Sequence, residues 1–117
     1  MTTATYVNLT PHALNVRSLD GSTLVLPPSP NGAARVVYDR LPPEQASIAG
    51  HEVQISVAGG PREIIGLPDP EPGTVYIVAK AVADAAPASR GDLMSPGKLI
   101  RDADGNVIGC DGLTRRA

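Results

Sequence analysis

Glycine and proline, twelve of each in 117 residues, set the frame for this chain. Proline removes a backbone donor and glycine readily adopts left-handed φ, so together they cut a polypeptide into short runs joined by turns. The runs between them are rich in Val, Ile, Leu and Ala. The chain has no Phe, no Trp and only three Tyr. Small branched side chains pack a pleated surface better than a bulky helix interface. One domain spanning residues 1–117 suits a chain of 12.1 kDa. The fold class expected is mainly β: a compact antiparallel sheet, sandwich or small barrel of seven or eight short strands with one short helix.

The pattern along the chain gives the segments. Strands are expected at 5–9 and 13–19, around Thr10-Pro11-His12. Asp20-Gly21 is a strong hairpin signal, returning the chain through 23–26. The stretch 27–32 (PPSPNG) cannot continue a ladder and reads as a loop before a strand at 34–38. Residues 39–50 read as a loop or a short helical turn. HEVQISVA (51–58) alternates cleanly, as a half-buried strand does. Gly59-Gly60-Pro61 then reads as a turn into 62–67, the expected hairpin partner of 51–58. The prolines of 67–73 make a stiff connector. TVYIVA (74–79) is the most hydrophobic strand and is expected to be central, followed by an alanine-rich helix over 80–86 that stops before Pro87. A loop is read at 88–97, and a last hairpin joins 98–102 to 106–110 across Asp104-Gly105.

Charge excludes some functions. Ten basic and twelve acidic residues leave a formal net charge of −2, without the basic stripe that displaces counterions from a nucleic acid polymer. Arg115 and Arg116 read as a solvated tail. No apolar run approaches the roughly 20 residues that cross a bilayer, and the N-terminus lacks a signal-peptide pattern, so the expected location is cytoplasmic. Cys110 is the only cysteine, which excludes an internal disulfide, and inert packing at the end of an apolar strand is its expected role. His12 and His51 show no metal-ligand spacing, so neither metal nor cofactor is expected. No nucleophile elbow or phosphate-loop motif is present. The Arg90-Gly91-Asp92 tripeptide is read as a chance match to an adhesion motif.

What remains is a set of polar groups beside rigid loops. Arginine recognises phosphate or carboxylate with paired donors, and Gly/Pro loops let backbone amides approach such groups. The candidate ligand-binding residues are Arg90, Asp92, Arg101 and Arg35, then Asn8, Thr10 and His12. The plainer alternative is that Arg90 with Asp92, and Arg101 with Asp102, brace their own loops. Tyr6, Tyr38 and Tyr76 are the aromatic candidates for stacking on a flat base, or else core and interface residues.

The segments YVNLTPHALNV, PPSPNGAARV, IIGLPDPEPGTVYIVAKAVADAA and RGDLMSPGKLIRDADGNVIGCDGL together resemble a family of small uncharacterised proteins of bacteria and their phages. The resemblance covers most of the chain and is weakest over 39–52. It brings no assigned reaction and no catalytic residues. It implies a context in which small proteins act by binding, and hence a non-enzymatic protein that sequesters a nucleotide-derived signalling molecule from a defence receptor. A homo-oligomer is expected separately from size, since a short chain with small core residues gains by burying edge strands against a copy of itself. Two alternatives stay open. One is a protein-binding inhibitor or structural accessory acting through an exposed sheet edge. The other is a nucleotide hydrolase or lyase using His12 with Asp92 or Asp102.

Overall fold

The computed structural model describes residues 4–116. Eight strands and one helix follow in the order β1 (Thr5–Asn8), β2 (Leu14–Arg17), β3 (Thr23–Leu26), β4 (Arg35–Ile48), β5 (His51–Ile65), β6 (Thr74–Ile77), α1 (Lys80–Ala85), β7 (Leu93–Arg101) and β8 (Val107–Thr114). The mainly β expectation with one short helix holds. Six strands form one sheet in the order β1-β6-β7-β8-β2-β3, and β4 pairs only with β5. A parallel bridge between Asn8 and Pro28, just past β3, brings the two ends of the large sheet together into a nearly closed barrel.

The sheet is mixed rather than antiparallel. β1–β6, β6–β7 and β2–β8 are parallel; β2–β3 and β7–β8 are antiparallel. The two Asp-Gly hairpins occur where the turn chemistry places them, with Gly21 and Gly105 both at positive φ. β6 is an interior strand between β1 and β7, next to the edge rather than at the middle of the sheet. Its Tyr76 and Val78 neighbours pack into the main apolar cluster with Leu9, Ala34, Val82 and Leu93, while Ile77 is fully buried on the opposite side. Burial on both faces explains why that strand is apolar without alternation. Burial also pushes the Tyr76 phenol above its ordinary pKa.

Helix α1 lies over this cluster through Val82 and Ala86. It ends at Ala86, whose extended backbone (ψ 151°) is what a following proline imposes. Gly97 leaves room where β7 passes β8: a Cβ there would strike the Asp111 carbonyl oxygen and come within 2.8 Å of the Gly112 carbonyl oxygen.

Two expectations fail together. Residues 39–48 are strand, not a loop or helical turn, and Gly59-Gly60-Pro61 is not a hairpin turn. β4 and β5 are 14 and 15 residues long and form one ribbon that reverses at Ala49-Gly50. Glu63, Ile64 and Ile65 therefore pair with Val37, Val36 and Arg35, not with 51–58. The prolines are absorbed where the register shifts: Leu41 pairs with Val57 and Glu44 with Ile55, so that Pro42 and Pro43 fall at an irregularity. A two-stranded ribbon has two free edges, and there a missing donor costs no ladder bond. The loop read at 88–97 is shorter than expected, because β7 begins at Leu93. The molecule is also not compact. Its extents are 64 × 39 × 29 Å, and its radius of gyration of 17.9 Å exceeds the roughly 13 Å of a compact chain this long.

Candidate functional site

The structure distributes the seven sequence candidates over four places. Asn8 and Thr10 are buried where the barrel closes. The Asn8 amide donates to the carbonyls of Leu26 (2.9 Å) and His12 (3.0 Å). Its Oδ1 accepts from the Thr10 backbone N–H (2.9 Å) and from Thr10 Oγ1 (2.6 Å), which has the His12 carbonyl at 3.0 Å as a second acceptor. The Asn8 carbonyl accepts from the Ser29 N–H, and the next residue, Leu9, accepts from the Ala34 N–H. The Asn8 side chain is thus fully committed to tying β1 to the end of β3. His12, in the same corner, is exposed and lines a different feature, a mostly apolar groove with Leu14, Leu99, Val107 and Ile108.

Arg101 is exposed and donates from Nη1 to the Gly105 carbonyl (2.9 Å), bracing the turn between β7 and β8. Asp102 Oδ1 accepts the backbone N–H groups of Asp104 and Asn106 in the same turn. Arg35 is exposed at the base of the β4–β5 ribbon, where with Tyr38 and Arg40 it lines a cleft of about 680 Å³. Tyr6 and Tyr38 are exposed, and Tyr76 belongs to the core.

Arg90 and Asp92 form a bidentate pair, Nε to Oδ1 and Nη2 to Oδ2, both 2.9 Å. Nη2 also donates to the Pro68 carbonyl at 2.9 Å, so the pair ties the loop after α1 to the proline connector. Both side chains are largely shielded, at 14% and 16% exposure. The hydrogen bonds from Arg90 hold the Asp92 carboxyl below its ordinary pKa, and Asp92 in turn raises that of Arg90. This is the loop-bracing geometry, yet Arg90 keeps one face on a cavity.

That cavity, of about 480 Å³, opens beside α1 and the strand ends of β7 and β8. Its size falls in the range of small-molecule sites. Four cationic side chains line it: Lys80, Arg90, Arg115 and Arg116. Ser95 and Thr114 add hydroxyls, Leu93 and Pro96 an apolar wall, and Gly91 and Gly97 bare backbone. The one carboxylate in the lining, Asp84, accepts from Lys80 Nζ at 2.9 Å along the exposed helix face. Arg116 is not a free tail. It folds back to donate to the carbonyls of Ala86 (3.2 Å) and Pro87 (3.0 Å) just past the helix.

Of the sequence candidates, only Arg90 lines this basic cleft. Lys80, Ser95, Thr114, Arg115 and Arg116 come from segments too far apart in the chain to form a readable motif. Cys110 is buried. Among the described residues, no group of three His, Cys, Asp or Glu side chains could hold a metal ion, and no helix is long and apolar enough to cross a membrane. No protein-family model, curated protein or solved structure matches this chain.

Proposed function

We propose that this chain is a non-enzymatic binding protein, acting as a homo-oligomer, that holds a nucleotide-derived signalling molecule and keeps it from its receptor. The single observation that supports this reading is the convergence of Lys80, Arg90, Arg115 and Arg116 on one cleft that also offers hydroxyls, bare glycine backbone and a small apolar wall. Guanidinium and ammonium groups are the natural partners of phosphate oxygens, and a base can lie on Leu93 and Pro96. Binding without turnover fits the state of the acidic groups. Asp92 is held as a carboxylate by Arg90, Asp102 is occupied by a hairpin turn, and His12 lines a different groove. The hydrolase reading needs His12 to share a substrate with one of them.

The test is calorimetric titration with a panel of cyclic dinucleotides, cyclic ADP-ribose isomers and linear nucleotides, on wild type and on Lys80→Ala and Arg115→Ala. The expected result is one tight ligand whose affinity falls at least tenfold in each variant, with the ligand recovered intact. Binding that ignores both substitutions overturns the site, and a consumed ligand overturns the non-enzymatic reading.

The sheet-edge reading retains one favourable observation. β3 forms the end of the large sheet and leaves Leu24 and Val25 more than half exposed.

A further inference from the structure

The β4–β5 ribbon is a two-faced element with only its base packed on the rest of the protomer. Cross-strand partners share a face, and faces alternate along the pair. The register therefore puts Ile48 with His51, Ala46 with Val53, Glu44 with Ile55, and Leu41 with Val57 on one face, which is apolar except for His51 beside the turn and Glu44. Ser47 with Glu52, Gln45 with Gln54, Ser56, and Arg40 with Ala58 occupy the other. Val36 and Ile64, at the base, pack against the core cluster. Further out, Leu41, Ile48, Val53 and Ile55 are all exposed. A two-stranded ribbon is at best marginally stable in water alone, and an alternating apolar face is the mark of a strand pair that lies on something.

A surface of matching chemistry exists on the same chain. Leu99, Val107 and Ile108, each about half exposed, line the apolar groove of about 390 Å³ on the barrel wall together with Leu14. We infer that two copies of this chain associate by reciprocal exchange, the apolar face of each ribbon lying in the Leu14–Leu99–Ile108 groove of the other. This supplies the interface for the oligomer in that reading and does not depend on which ligand the cleft takes.

Area decides between this arrangement and a simple ribbon-on-ribbon contact. Eight residues from Leu41 to Ile48, at about 3.3 Å each and two strands about 4.8 Å apart, make a strip on the order of 250 Å². One such strip is about a third of the roughly 800 Å² that each partner gives to a standard interface. Reciprocal docking uses strip and groove on both copies and buries on the order of 1,000 Å², about the area a biological interface must clear. A two-fold axis also closes the contact, so that no ribbon is left to propagate a fibre.

The experiment is sedimentation velocity on the full chain at micromolar concentration, with circular dichroism as the folding control. Wild type is expected at the dimer mass or a multiple of it, while Ile55→Glu in the ribbon and Leu99→Glu in the groove each drop to the 12.1 kDa monomer. An equimolar mixture of the two variants stays largely monomeric, because it restores only one of the two ribbon–groove contacts. Gln54→Glu, on the polar face, keeps the wild-type mass. If either glutamate variant fails to fold, Ile48→Cys with Val107→Cys replaces it: a disulfide-linked dimer supports the exchange, since the native Cys110 is buried. A monomeric wild type, a Leu99→Glu protein that stays dimeric, or no cross-link overturns the inference.

Discussion

Asn8→Ala separates a structural from a ligand-binding role for the Asn-Leu-Thr corner. Asn8 is 3% exposed, and its side chain makes four hydrogen bonds: two donated to the Leu26 and His12 carbonyls and two accepted from Thr10. Truncation deletes all four. The Thr10 hydroxyl can still turn to the His12 carbonyl, but the Thr10 N–H and the Leu26 carbonyl lose a partner in a partly buried corner. A lost net hydrogen bond costs about 1 kcal/mol, and a stranded buried group 1–3. Discounting for partial exposure, the expected loss is about 3 kcal/mol, a large share of the roughly 5–15 kcal/mol of a typical domain. It should appear in urea melts followed by circular dichroism as a lower midpoint at unchanged slope, and as a fall in Tm of about 12 °C. Thr10→Val should cost about 1–2 kcal/mol, and the double variant less than the sum of the singles, because both remove the same hydroxyl contact. A loss below about 1 kcal/mol for Asn8→Ala, with ligand affinity abolished instead, would refute the barrel-closing role and return Asn8 to the binding site.

Three further outcomes follow from the geometry. Arg90→Ala should destabilise by about 2 kcal/mol, because it strands the shielded Asp92 carboxylate and the Pro68 carbonyl, whereas Arg90→Lys should recover only part; equal stability of all three proteins in urea would contradict the bidentate pair. Since Asp92 has a lowered pKa in the fold, the stability from that pair should be complete above the ordinary carboxylate pKa and lost as pH falls through the folded value, and the slope should vanish in Arg90→Ala. The hydroxyls of Ser22 and Ser18, with the Ser22 N–H, hold the Asp20 carboxyl down to about 2, so an NMR titration should find its midpoint there in wild type and nearer the ordinary value in Ser22→Ala; an ordinary midpoint in wild type would sink the turn assignment. Ala49, at φ 51°, occupies a left-handed position at the ribbon turn, so Ala49→Asn should stabilise by about 0.5–1 kcal/mol, and a loss of stability would contradict that backbone.

What was legible in the sequence is what local chemistry dictates. Asp20-Gly21 and Asp104-Gly105 each form the hairpin their φ requirements call for, and Pro87 stops α1 where an extended Ala86 must precede it. The unalternating apolar run 74–79 marked the strand buried on both faces. The ribbon was not legible, because Pro42-Pro43 and Gly59-Gly60-Pro61 carry the same signals whether they end a strand or sit at a bulge on a free edge. Which outcome holds depends on how many neighbours the strand has, and that is decided by tertiary pairing. The three parallel pairings had no local signal at all, since their connections carry no fixed turn. The cleft was hidden for the same reason. Arg116 reads as a tail until the carbonyls of Ala86 and Pro87 are seen beside it, and Lys80 reads as an ordinary exposed helix residue until β7 and β8 complete the wall.

The most direct test of a sequestering cleft is native mass spectrometry of the purified chain, first alone and then with the nucleotide panel. The prediction is an oligomer that carries an intact nucleotide, with that adduct absent from Lys80→Ala and Arg115→Ala although their oligomer mass is unchanged. A wild-type protein that gains no nucleotide mass at any concentration would contradict it and turn attention to protein partners at the exposed β3 edge.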